Sequence, residues 1–264
     1  MPLIIPSPNS PIFLHLGNFS IRFYGLIMAI SFFVGLIGAY FLIKTRISKN
    51  EADIFLDYSP FVIFCAILGA RLFYVIALLD YYFENPLEII MINHGGLSIF
   101  GAIFFGILST YILSKIKKFD FLQHLDMIAI VFPLCQAIGR FGNYFNQEAY
   151  GAPTNSFIKL FVSKEYRKPE LLEIEYYHPA FLYESILDIF ICLSLLILYK
   201  KKTINGSIAC SYLILYSIGR FIIEAIRIDS VLNIQNIPIV QILCIFILIL
   251  SVVFLLFLSK KRVN

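Results

Sequence analysis

Four arginines interrupt the apolar stretches of this chain: Arg71, Arg140, Arg220 and Arg227. An ionisable side chain inside a long apolar run is energetically expensive, so it marks a functional site by default. A guanidinium presents its donors as a planar fork that fits phosphate oxygens, and several at one depth would hold an anionic headgroup. In YSIGRFIIEAIRID (216–229), Glu224 follows Arg220 by four residues and precedes Arg227 by three. That spacing permits an internal ion network, which can coexist with a substrate site. In GRFGNYFN (139–146), helical spacing puts Arg140, Asn143 and Tyr144 on one face, with Asn146 a turn beyond Asn143. Gly139 and Gly142 would admit a neighbouring helix or a lipid headgroup. The blander reading of the same residues is an interfacial helix end with a snorkelling arginine and capping asparagines.

HPAFLYE (178–184) carries His178, a candidate ligand, base or cap, at the start of an apolar run. Neither HExxH nor a second histidine at metal spacing accompanies it, so no metal centre and no cofactor are expected. Glu184 and Asp188 stand one helical turn apart, which permits a carboxylate pair, although a polar stripe facing other helices is the simpler reading. Tyr24, one turn into the first apolar run, is either an interface anchor or a hydroxyl aimed at a substrate.

The elements that position these residues are membrane helices. Of 264 residues, 59% are hydrophobic and 14% charged, against about 25% charged in a soluble domain. A span needs about 20 mostly apolar residues. Such runs fall at 23–43, 58–79, 95–114, 125–145, 179–199, 206–226 and 237–258, the fourth carrying a charge, Asp126, near its start. The expected fold is therefore an all-α integral membrane bundle of about seven transmembrane helices. It forms a single polytopic domain, 1–264, with 146–178 as a small extracytoplasmic cap. Phe157, Ile158, Phe161 and Val162 in that cap suit short strands.

Lysine and arginine near span ends set orientation, because cytoplasmic loops retain positive charge. Clusters at 44–49, 115–118, 200–202 and 260–262 follow the first, third, fifth and seventh spans, while Asp80 to His94 holds three acids and no base. The N-terminus then lies outside, the C-terminus is cytoplasmic, and all four arginines lie in the outer half of the membrane or at its outer surface. The basic residues are dispersed, which argues against a nucleic-acid partner. No Lys or Arg precedes Arg22, so the N-terminal segment lacks the basic region of a cleavable signal peptide. All five cysteines lie inside apolar runs and are read as small buried hydrophobes.

Taken together and in order, GRFGNYFN with Glu148 and Gly151, GGLSIFG (95–101), GARL (69–72), HPAFLYE, GRFIIEAIR (219–227) and RFYG (22–25) resemble the prolipoprotein diacylglyceryl transferases across nearly the whole chain. The resemblance implies an enzyme of the bacterial plasma membrane. Its donor is phosphatidylglycerol, and its acceptor is the lipobox cysteine of a prolipoprotein signal peptide. The diacylglyceryl group moves to sulfur as a thioether and glycerol phosphate is released, the first step of lipoprotein maturation. The family's phosphatidylglycerol-contacting arginine falls on Arg140 and its other essential arginine on Arg220, while Tyr24, Asn143, Asn146, Gly151 and Glu224 align with further residues the family relies on. The catalytic set is thus Arg140, Arg220, Glu224 and Tyr24. The phosphatidylglycerol-binding set is Arg140, Asn143, Asn146, Gly151, Arg71 and Arg220.

The chain departs from the family at Phe100, where many members carry a histidine proposed as the base. Phenylalanine cannot accept a proton, and a thiol with an unperturbed pKa of about 8.5 must lose one to attack. His94, Tyr24 and Glu224 are candidate acceptors; alternatively the arginine field lowers the thiol pKa enough for water to serve. Two rival readings of the whole chain are an anionic-solute transporter and a noncatalytic lipid-binding protein on the same fold.

Overall fold

The computed structural model describes all residues except 1, 18, 93, 94, 202, 229–232, 235, 236 and 264, and omits the side chains at 16, 19, 233, 234 and 261–263. Its helices are α1 (Phe23–Arg46), α2 (Lys49–Ala77), α3 (Leu79–Glu84), α4 (Ile99–Lys117), α5 (Phe121–Phe145), α6 (Ala180–Tyr199), α7 (Ser207–Glu224) and α8 (Ile239–Val263). Among the described residues seven of these, all but α3, are long and apolar enough to cross a membrane. The chain is a mostly helical, multi-pass membrane protein.

Two spans begin elsewhere than hydropathy alone places them. Helix α2 starts well before residue 58 because Ser48 caps it, its hydroxyl accepting from the Glu51 N–H at 3.1 Å, so a polar first turn is helical although it is not apolar. Helix α4 starts only at Ile99, after Gly95 and Gly96 adopt φ of 88° and 76°. A left-handed pair of that kind ends any helical run.

The chain divides into two compact units, Met1–Ala39 with Leu125–Asn264, and Tyr40–His124. In the second, α2 packs along α4, and His124 is fully buried between the Tyr58 hydroxyl at 2.9 Å and Glu51 at 3.0 Å.

In the first unit, α5 is the common partner. The Ser31 hydroxyl of α1 donates to Cys135 O at 2.8 Å, Ser185 of α6 donates to Ala137 O at 3.0 Å, and Tyr212 of α7 donates to Gln136 at 2.8 Å. The charge that weakens the fourth apolar run also has a structural use. Asp126 is buried, and its carboxylate accepts from the backbone N–H groups of Gly206 and Ala209, each at 2.8 Å. It therefore caps the N-terminus of α7 from another helix, where dipole and free N–H groups favour a negative charge. Asp126→Ala is expected to leave both N–H groups buried and unsatisfied. The cost is about 2 kcal/mol or more, measurable as a lowered unfolding midpoint in detergent; an unchanged midpoint would contradict this account of α7.

Short strands flank the helices. Strand β1 (Leu3–Ile5) pairs parallel with β4 (Ile158–Phe161), and β4 pairs antiparallel with β5 (Tyr176–Tyr177). The hairpin β2 (Ile12–Leu16) with β3 (Phe19–Arg22) runs directly into α1, and β6 (Asn233–Ile234) with β7 (Ile237–Pro238) runs into α8. Tyr150, Leu160, Val162, Tyr177 and Phe181 form a small apolar core for the segment between α5 and α6. The strand expected near 157–162 is β4, paired to the extreme N-terminus. The five cysteines form no disulfide; Cys192, Cys210 and Cys244 are buried and Cys65 and Cys135 half-buried.

Candidate functional site

The buried residues of α6 include Ala180, Phe181, Glu184, Ser185, Asp188, Ile191, Cys192 and Leu195, a stripe at helical spacing. Two carboxylates therefore sit on the face that packs against other helices, not on a lipid-facing one. Glu184, with 4% of its side chain exposed, is the point on which three guanidiniums converge. Arg140 Nε of α5 lies 2.5 Å from Oε2, Arg220 of α7 donates through Nη1 to Oε1, and Arg227 Nη1 reaches Oε1 at 2.9 Å. Arg220 also meets Glu224 at 2.6 Å, one turn along its own helix. Asp188 lies one turn further along α6 and is 1% exposed.

This arrangement joins residues separated by up to 87 positions in the chain, from Arg140 to Arg227. Removing charged groups from water is costly, and it is tolerated here because each guanidinium named has a carboxylate partner. Chemically, the cluster is a dry, concentrated set of planar donors, and its carboxylates occupy positions that a phosphate oxygen could take.

The loop after α5 supplies the neighbouring polar groups. Asn143 Nδ2 and Asn146 Nδ2 both donate to Glu148 Oε1, at 3.0 and 3.2 Å. The loop is tight, with Gln147 at φ 50° and Ala149 at φ 55°. Gly142 lies against the ring of Tyr24, where a Cβ would come within 2.7 Å of Cδ2. Tyr24 feels both Glu148 and Arg140 electrostatically. Gly151 is required by close approach of another kind: its N–H donates to His178 O at 2.9 Å, and a Cβ would sit 2.7 Å from His178 Cβ and 3.0 Å from Ile226 O. Gly151 pairs with Arg227 as an isolated bridge, so it holds the segment that delivers Arg227. His178 itself packs through backbone bonds and a 3.2 Å contact of Nδ1 with the Tyr183 hydroxyl.

The structure thus brings Arg140, Arg220, Arg227 and Glu224 together and sets Asn143 and Asn146 on Glu148. Arg71 belongs to the other unit. It is buried, and its guanidinium donates to the carbonyls of Ile89 at 2.9 Å, Gly95 at 2.5 Å and Gly96 at 3.0 Å, and to that of Glu88, with the Tyr82 ring 5.3 Å away. Its donors tie together the backbone at Glu88, Ile89, Gly95 and Gly96. Phe100 is the second residue of α4 and 59% exposed. His94 lies outside the described residues. Glu184 stands outside the residue sets expected from sequence; the signals for it were its helical offset from Asp188 and its place at the end of HPAFLYE.

Apolar spanning helices with a buried arginine–carboxylate cluster define the chain as a multi-pass membrane protein with a charged, water-poor interior site. Comparison with known proteins narrows the class. A family model described as "Prolipoprotein diacylglyceryl transferase" matches residues 11–257. A protein of Clostridium botulinum (strain Loch Maree / Type A3) named phosphatidylglycerol–prolipoprotein diacylglyceryl transferase is 41% identical over 254 residues, covering 96% of this chain and 98% of that one. A protein of the same name from Nostoc sp. (strain PCC 7120) is 39% identical over 235 residues, covering 87% of this chain and 82% of its own length. The chain belongs to the prolipoprotein diacylglyceryl transferase family.

Proposed function

We propose that the protein transfers the diacylglyceryl group of phosphatidylglycerol to the lipobox cysteine thiol of exported prolipoproteins. The single observation that carries this reading is the convergence of Arg140, Arg220 and Arg227 on Glu184 within an apolar bundle, in a chain that belongs to this family. The arginines exchange contacts with the Glu184 carboxylate for contacts with the phosphate of the donor. Sulfur then attacks the glycerol carbon that bears the phosphoester oxygen. The carbon–sulfur bond forms as that carbon–oxygen bond breaks, and glycerol phosphate leaves with the electron pair. The arginines stabilise the charge that develops on the departing oxygen, an electrostatic contribution that is large where water is excluded. Asn143 and Asn146, through Glu148, and Gly151, through its fit against His178, keep the loop in shape beside Arg140 and Arg227. Arg71 stands apart from the phosphate-binding set in this reading, because backbone carbonyls already take its donors.

Purified protein incubated with phosphatidylglycerol and a lipobox peptide is expected to form the thioether-linked lipopeptide without added metal or nucleotide. Absence of the product with folded protein would remove this reading in favour of a lipid-binding or transport role.

The site belongs at the outer face, with the N-terminus outside and the C-terminus cytoplasmic, on the strength of the basic clusters at 44–49, 115–118, 200–202 and 260–262. Asn146→Cys is expected to react with a membrane-impermeant thiol reagent applied from outside, and Lys117→Cys only when the cytoplasmic side is opened. Reversed labelling would overturn the orientation.

The thiol proton goes to a group other than residue 100. Phe100→Leu should change the rate little, since an exposed phenylalanine contributes bulk alone. One of His94→Ala, Tyr24→Phe or Glu224→Gln should slow single-turnover transfer by about 10²- to 10⁴-fold, the usual worth of general-base help. If Phe100→His accelerates transfer a hundredfold while none of the other three matters, this assignment fails.

A further inference from the structure

Asp188 is the one member of the α6 stripe whose chemistry the transfer reaction as written does not use. It is 1% exposed, and among the described residues neither of its carboxylate oxygens has a hydrogen-bond partner. Its neighbour one turn earlier on the same helix, Glu184, has three guanidiniums, yet no ion pair within 4 Å involves Asp188 among the described residues. The groups that act on it electrostatically are Arg140 from α5, Glu184 from α6, and Arg220, Tyr212 and Tyr216 from α7. An ionised carboxylate without a donor, enclosed by apolar helices and one turn from another carboxylate, is among the most costly groups a protein can bury. A carboxylic acid in the same place is an ordinary buried polar group. The difference matters for an anion site, because a second unpaired negative charge beneath Glu184 opposes the field with which Arg140 and Arg220 attract a phosphate.

We propose that Asp188 is carried as the neutral acid and is a charge-setting residue, a positioning residue for the phosphate that acts through the arginines and does not touch substrate. This rests on the reading that Arg140 and Arg220 hold the phosphate of phosphatidylglycerol. The aspartate fills its buried place on α6 one turn from Glu184, and its proton keeps the guanidiniums free to bind an anion. Ionisation of Asp188 weakens donor binding while leaving the thiol and its acceptor unaffected, so its signature lies in KM for phosphatidylglycerol and not in kcat.

Isotope-edited infrared spectroscopy of the full-length protein in bilayers free of phosphatidylglycerol tests the protonation directly. Carbon-13 at aspartate carboxyls should shift a carboxylic-acid carbonyl band at neutral pH, and that band should be absent from Asp188→Asn. The label covers every aspartate, so the variant assigns the band to Asp188, while absence of any such band in the unmutated protein is decisive even where the variant does not fold. In transfer assays, Asp188→Asn should stay within about threefold of the unmutated rate, because a neutral amide preserves both volume and charge. KM for phosphatidylglycerol should rise in the alkaline range for the unmutated protein and stay flat for Asp188→Asn. Absence of the isotope-sensitive band overturns the proposal, as do superimposable KM profiles of the two proteins. The spectrum is recorded without substrate, so a positive band beside absent transfer places the failure in the catalytic reading and leaves the protonation of Asp188 standing.

Discussion

Arg140→Ala is expected to abolish transfer from phosphatidylglycerol while the bundle remains folded. Loss of one preorganised donor at a developing charge costs about 10²- to 10³-fold in kcat, and Arg140 also serves in binding the donor, so kcat/KM should fall further. The fold should survive because Glu184 keeps Arg220 and Arg227 on Oε1 when Arg140 is removed, so its charge stays paired. Arg140→Lys should recover little. An ammonium supplies charge without the planar fork and cannot face Glu184 and a phosphate together. The measurement is a single-turnover lipidation assay on protein whose unfolding midpoint in detergent matches that of the unmutated chain. Transfer close to the unmutated rate in such a preparation would take Arg140 out of the site.

Glu184→Gln should be the more damaging substitution for the protein as a whole. Glutamine has nearly the shape of glutamate, so packing on α6 is preserved and only the charge is lost. That charge is the shared partner of three arginines drawn from α5, α7 and the segment after α7. Without it, guanidiniums held close together repel one another. Breaking a buried pair by deleting one partner typically costs about 3 to 5 kcal/mol. A lower unfolding midpoint and a transfer rate reduced by at least about 10²-fold are expected together. A multivalent oxyanion should partly restore the midpoint, since sulfate or phosphate offers the arginines the same kind of oxygen acceptor. If Glu184→Gln were as stable and active as the unmutated protein, the convergence on Glu184 would carry no weight in either folding or catalysis.

The two substitutions also separate roles that the sequence left together. Arg140 stands out as a candidate without any structure, since a guanidinium in an apolar run is costly unless something binds it. Glu184 is not. A lone carboxylate one turn from another reads as a polar stripe until its partners are known, and those partners lie 44 residues before it, at Arg140, and 36 and 43 residues after it, at Arg220 and Arg227. Arg71 shows the reverse case. Its place in an apolar run gave it the same reading as Arg140, yet the structure ties it to the carbonyls of Ile89, Gly95 and Gly96. A guanidinium satisfied by backbone and one satisfied by carboxylates look identical in sequence, because both simply need acceptors.

Sequence alone determined that this is a seven-span membrane protein of its family, and roughly where each span lies. The physical reason is that crossing a bilayer is a local requirement: each stretch of about 20 residues is tested against the hydrocarbon core independently of the others. It could not determine that Asp126 caps α7 from α5, that the first strand pairs with residues 158–160, or that three arginines share Glu184. Those are contacts between segments far apart in the chain, selected by whichever packing of the helices satisfies every buried charge and backbone donor at once. Tertiary structure decided them, and with them which residues meet in the candidate site.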